Sequence, residues 1–91
     1  MKHAGPAAIE ALAPLLVEVR RDLEGVIEKK PGTFYCKGRG LLHFHEDPAG
    51  FFADLRIEGE WRRFPVNQPR ETATFLKAWR RAIAGLTKAG K

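Results

Sequence analysis

Two histidines one residue apart, His43 and His45, sit in a run where apolar and polar residues alternate, so both imidazoles project from the same face of a strand. That spacing suits two ligands of a metal ion, but bound zinc takes about three or four protein ligands. A third is not apparent: Glu46 falls on the opposite face, Cys36 alternates onto the core side, and His3 lies in an end segment expected to be flexible. The sequence therefore predicts neither a metal nor a cofactor. A second chemistry is proton transfer by His43, oriented by the carboxylate of Asp54. No nucleophile stands beside this pair. A row of His43, Asp54 and Arg63 across neighbouring strands is ordinarily an ion ladder contributing about 0.2–1 kcal/mol per pair, so no catalytic residue is assigned. Cys36 reads as a small buried apolar residue rather than a nucleophile.

The same face collects aromatics and cations. Tyr35 and Trp61 fall on the side of the sheet turned away from the core, where no apolar interior explains them, and Lys37, Arg39, Arg56 and Arg63 share that side. Net charge is +5 and unevenly placed: residues 61–91 carry eight basic residues against Glu71, a net +7, while the rest of the chain sums to −2. A basic third beside a near-neutral remainder is the electrostatic footprint of contact with phosphates, and equally a route to solubility. The nucleic-acid-binding candidates are accordingly Tyr35, Lys37, Arg39, His43, His45, Arg56, Trp61 and Arg63 on the sheet, with Arg80 and Arg81 on the last helix. These two sets lie on opposite sides of a two-layer domain, so one duplex would touch only one of them. The competing expectation is a homodimer or another protein contact through the open face or an edge strand.

The elements that position these residues follow from periodicity. Ile9, Leu12, Leu16, Val19 and Leu23 recur at intervals of three and four, the stripe of an amphipathic helix ended by Gly25. Pro14 either bends that helix or makes it begin near Ala13 after a separate turn. The period then changes to two. A short strand over 26–29 leads through a Lys30-Pro31-Gly32-Thr33 turn into a long run, 34–45, in which Phe34, Cys36, Leu42 and Phe44 face the core and Leu41 faces outward with Tyr35 and His43. Gly38 and Gly40 mark a bulge in this run. Two-residue turns at Pro48-Ala49 and Glu58-Gly59 fix the register, placing His43 opposite Asp54, Asp54 opposite Arg63, and Leu41, Arg56 and Trp61 in the neighbouring row. Asn67 is the expected cap of a final helix whose apolar stripe is Thr72, Phe75, Leu76, Trp79, Ile83 and Leu86. The ends, about residues 1–5 and 87–91, are expected to fray.

These elements describe one α+β domain over residues 1–91, a two-layer sandwich of helix, antiparallel meander of three to four strands, and helix. One cysteine cannot form an internal disulfide, so the expected location is cytoplasmic. No stretch approaches the roughly 18 uninterrupted apolar residues of a membrane span, so no membrane partner is expected. Leu23-Glu24-Gly25-Val26-Ile27-Glu28, followed by Phe34, by Lys37-Gly38-Arg39 and by an apolar strand, resembles the opening of the MmcQ/YjbR-like family. That resemblance covers roughly the first two-thirds of the chain and implies a compact α+β architecture similar to the frataxin-like fold, with a generic DNA-binding label and no transferable site residues.

Overall fold

The computed structural model describes the backbone of residues 2–21, 23 and 25–89, and the side chains of these up to residue 85. Its elements in chain order are β1 (Lys2–His3), α1 (Pro6–Ala11), α2 (Ala13–Val19), β2 (Ile27–Lys30), β3 (Thr33–Cys36), β4 (Arg39–Asp47), β5 (Gly50–Ile57), β6 (Glu60–Pro65) and α3 (Pro69–Ala89). The α+β sandwich is as expected, but the sheet has six strands rather than three or four. All pairings are antiparallel: β2 to β6 form a meander in chain order, and β1 joins the edge of β4 beyond the end of β3.

Proline 14 decides the shape of the first helical segment. It has no N–H to offer the carbonyl of Glu10, so the helix breaks at Leu12, and Pro14 instead occupies the first turn of α2, where no donor is needed. The expected stripe survives the break, with Leu12, Leu16 and Val19 buried and Ile9 and Leu23 partly so. Gly25 does not end the helix. α2 stops at Val19, and Gly25, at φ 79°, lies in the following turn, where Val26 N–H bonds to the Leu23 carbonyl. Glu24 of the resemblance, the side chain of Leu86, and the fraying expected at Met1, Gly90 and Lys91 lie outside the described residues.

The long run over 34–45 is two strands, not one. Lys37 and Gly38 both adopt positive φ, 53° and 79°, and make a two-residue hairpin between Cys36 and its partner Arg39. The bulge expected from the glycines follows immediately: Phe34 pairs with Leu42 while Tyr35 pairs with Gly40, so Leu41 is the extra residue. That one-residue shift corrects the parity of Leu41, which leaves the outer row and joins the core at 5% exposure. Gly40 takes the outer position in its place. The other two hairpins are as the turn residues indicate, with Asp47 paired to Gly50, Ile57 to Glu60, and positive φ at Glu58 and Gly59.

Both helical segments cover one face of the sheet. Phe34, Leu42, Phe44, Ala53 and Leu55 from the strands meet Leu16 and Val19 from α2 and Phe75, Trp79 and Ile83 from α3. Phe44 and Phe64 both approach the Phe75 ring, each at 5.8 Å between centroids, and Trp79 lies 6.0 Å from Phe34. Burial of each large side chain contributes about 1.5–3 kcal/mol, so this layer holds the sheet's outer face in place. The cap of α3 differs from expectation. Asn67 spends its side chain on β5, accepting from the Phe51 N–H and donating to the Phe51 carbonyl, while Glu71 reaches back to accept from the N–H groups of Asn67 and Gln68. A carboxylate there also suits the positive end of the helix.

Candidate functional site

Three histidines meet on the open face of the sheet: His3, His43 and His45. β4 supplies two of them by alternation. β1 supplies the third, because His3 pairs directly with His45 and directly opposed residues emerge on the same face. The premise that His3 belongs to a flexible end is thus corrected. Besides the strand pairing, the Ala4 N–H bonds to the Phe44 carbonyl at 3.0 Å and the Gly5 N–H bonds to Glu46 Oε2 at 2.6 Å. Glu46, on the opposite face as expected, therefore latches the segment that carries His3. Each histidine offers one ring nitrogen, and these nitrogens all lie within 4.8 Å of one another.

The surroundings orient this cluster. The register is the expected one, His43 opposite Asp54 and Asp54 opposite Arg63. The Asp54 carboxylate nevertheless leans diagonally, placing Oδ2 3.0 Å from His45 Nδ1, though out of line for a hydrogen bond. Arg63 fixes that carboxylate with two bonds, Nε to Oδ1 at 2.8 Å and Nη2 to Oδ2 at 3.0 Å. On the other side, the Trp61 ring packs 5.0 Å from the His43 ring, and the Arg56 guanidinium stacks 4.7 Å over Trp61 while its Nε donates to the Gly40 carbonyl. Gly40 makes this possible. A Cβ there would stand 3.0 Å from His43 Nε2 and 3.6 Å from the Trp61 ring. Tyr35 completes the wall, 6.1 Å from His43 with the Lys29 ammonium 4.7 Å from its own ring centre.

The electrostatics favour the neutral imidazole at His43 and His45. Burial lowers the pKa of His43, and repulsion from His3 and His45 lowers it further. Burial likewise lowers that of His45, against the opposing pull of Asp54. Burial alone would raise the Asp54 pKa, but the hydrogen bonds and charge of Arg63 outweigh it and hold the carboxyl below its ordinary range. A neutral imidazole keeps a lone pair free for a metal. His43 Nε2 is buried without a hydrogen-bond partner among the described residues. An orphaned buried acceptor or donor costs about 1–3 kcal/mol, which a ligand would offset.

A cleft of about 810 Å³ opens beside the cluster. His3 and His43 line it, together with Tyr35, the apolar side chains of Ile9, Pro6 and Pro31, and Lys29 and Lys30. The nucleic-acid candidates divide differently. Tyr35, His43, His45, Arg56, Trp61 and Arg63 do share the open face, but Arg63 is paired with Asp54 and Arg56 is engaged with Gly40 and Trp61. Lys37 and Arg39 stand exposed at the β3–β4 hairpin, and Arg80 pairs with Glu18 at 3.6 Å. Arg81 instead lines a second groove, with Arg62 and Lys77, over Leu41, Ile57 and Phe64. Sequence reasoning omitted Arg62 and Lys77. Arg62 pairs with Leu55 and so has core-side parity on the edge strand, which is what delivers it to the rim of α3.

No helix among the described residues is long and apolar enough to cross a membrane. No family model, curated protein or solved structure matches the chain.

Proposed function

We propose that this protein binds a divalent transition-metal ion, zinc being the best fit, through His3, His43 and His45. The observation that carries this reading is the convergence of three ring nitrogens within 4.8 Å. A tetrahedral centre with Zn–N bonds of about 2.0–2.1 Å sets its nitrogens about 3.4 Å apart, so small side-chain rotations of about 1 Å close the site. An all-imidazole donor set favours zinc, nickel or copper over magnesium or calcium, which take oxygen ligands. Asp54 supports the assignment, since its carboxylate stands 3.0 Å from His45 Nδ1 and metal-bound histidines commonly have a carboxylate beside their second nitrogen. Three protein ligands leave one position for water or substrate, the composition of a reactive centre rather than a closed structural one. Such an ion acts as a Lewis acid and lowers the pKa of a bound water. Titration of the protein with Co²⁺ tests the reading. A single site with the visible absorption of four-coordinate cobalt is expected, weakened at least 100-fold in His43→Ala; cobalt uptake that ignores the His43 change contradicts it.

A second reading concerns the groove over α3. Arg62, Lys77 and Arg81 make no ion pair with any described residue, and the apolar face of α3 is already buried, so this basic surface suits phosphates of a nucleic acid better than a lipid bilayer. Salt-dependent anisotropy with labelled DNA and RNA tests it. Arg62→Gln/Lys77→Gln/Arg81→Gln should abolish binding that Lys37→Gln/Arg39→Gln leaves intact, and equal loss in both would refute the placement.

A further inference from the structure

The open coordination position and the neighbouring cleft together define a ligand. His3 and His43 belong both to the histidine cluster and to the wall of the cleft, so an ion held by the cluster borders that cavity. Away from the histidines the wall is mostly apolar, formed by Ile9, Pro6 and Pro31 and the ring of Tyr35. Charge at the rim comes from Lys29 and Lys30 against one acid among the described residues, Glu10, and the ion adds two positive charges. The cavity, about 810 Å³, is in the range of small-molecule sites, which are mostly apolar with a few placed polar groups. Among the described residues no arginine lines it, so the paired donors that favour phosphate are missing from those walls.

Resting on the metal reading above, we infer that the cleft binds a small organic carboxylate whose carboxylate oxygen fills the fourth position on the ion while its apolar body lies against Ile9, Pro6 and Pro31. The carboxylate is a hard anionic donor that a zinc-class ion accepts, at Zn–O distances of about 2.0–2.2 Å. The lysines at the rim add attraction for the anion without fixing its orientation. Discrimination therefore comes from the apolar body, and an aromatic carboxylate outcompetes one with no body to bury. Ile9 is the branched aliphatic side chain among the residues that line the cleft, so truncating it removes apolar wall.

Co²⁺-loaded full-length protein, titrated with acetate, benzoate and inorganic phosphate and followed by the visible spectrum, tests the inference. Benzoate is expected to perturb the cobalt bands at concentrations at least 10-fold below acetate, and phosphate to be no better than acetate. In Ile9→Ala the benzoate advantage should shrink about 5-fold or more, with cobalt and acetate affinity retained as the control for folding. Cobalt uptake with no spectral response to any anion overturns the inference alone, as does equal affinity for benzoate and acetate or a preference for phosphate. Failure to bind cobalt overturns the metal reading and this inference together.

Discussion

Asp54 is the residue whose replacement separates a designed metal centre from a chance meeting of imidazoles. In Asp54→Asn the side chain keeps its size and its place opposite His43 and Arg63, but loses the charge that faces His45 Nδ1 at 3.0 Å and that Arg63 grips through two bonds of 2.8 and 3.0 Å. An amide keeps one oxygen, so at most one of the Arg63 bonds persists and the other meets an NH₂ group. At the histidine, the negative charge 3.0 Å from Nδ1 is exchanged for a neutral group of either polarity. Changes of this kind beside a metal ligand lower affinity about 10–100-fold, or about 1.4–2.7 kcal/mol. The stability of the apoprotein should move less, because the Arg63 side chain is half exposed and solvent screens such a pair. Zinc affinity by competition with a chromophoric chelator, alongside urea unfolding of the apoprotein, gives both numbers. Zinc affinity unchanged within twofold, with the fold intact, would refute the argument that Asp54 and Arg63 orient His45.

Gly40→Ala places a methyl group 3.0 Å from His43 Nε2, so the His43 ring must give by a few tenths of an ångström in a packed site; we expect a loss of zinc affinity of about 10-fold, read by the same competition assay. Glu28 has its pKa lowered, chiefly by its hydrogen bonds from Arg20, with burial opposing and the Gly32 N–H assisting. Its stabilisation is therefore present above the ordinary glutamate pKa and fades as pH falls through the lower folded value. After solvent screening it amounts to about 1 kcal/mol or less. Urea unfolding at neutral and acidic pH should show that Glu28→Gln is less stable than the parent at neutral pH and that the gap closes in acid. Asn67→Ala removes both bonds to the Phe51 backbone and should cost about 1–2 kcal/mol, measured as a lowered thermal midpoint with α3 still present by circular dichroism.

Much of this arrangement is legible in the sequence because turn chemistry fixes register. Pro48-Ala49 and Glu58-Gly59 each close a two-residue turn, and from that alone His43, Asp54 and Arg63 fall in one row and Arg56 faces Trp61. The hairpin at Lys37-Gly38 is less legible, since lysine is an uncommon residue at positive φ, and reading through it makes one strand of two. Leu41 is displaced for a related reason: a bulge adds a residue without changing the hydrophobic pattern around it, so alternation assigns the wrong face. His3 is the consequential omission. A strand of two residues has no period, and β1 is fixed by backbone bonds to β4 and by the Glu46 carboxylate, partners more than forty residues away in sequence. The diagonal lean of Asp54 toward His45 likewise follows from side-chain packing and not from register.

The account rests on His3 completing a set of three ligands, and zinc calorimetry of the parent protein beside His3→Ala tests that most directly. One zinc ion per chain is predicted for the parent, with affinity reduced at least 100-fold in His3→Ala and the apoprotein fold retained. Equal zinc affinity in the two proteins, or no binding to the parent, would contradict it.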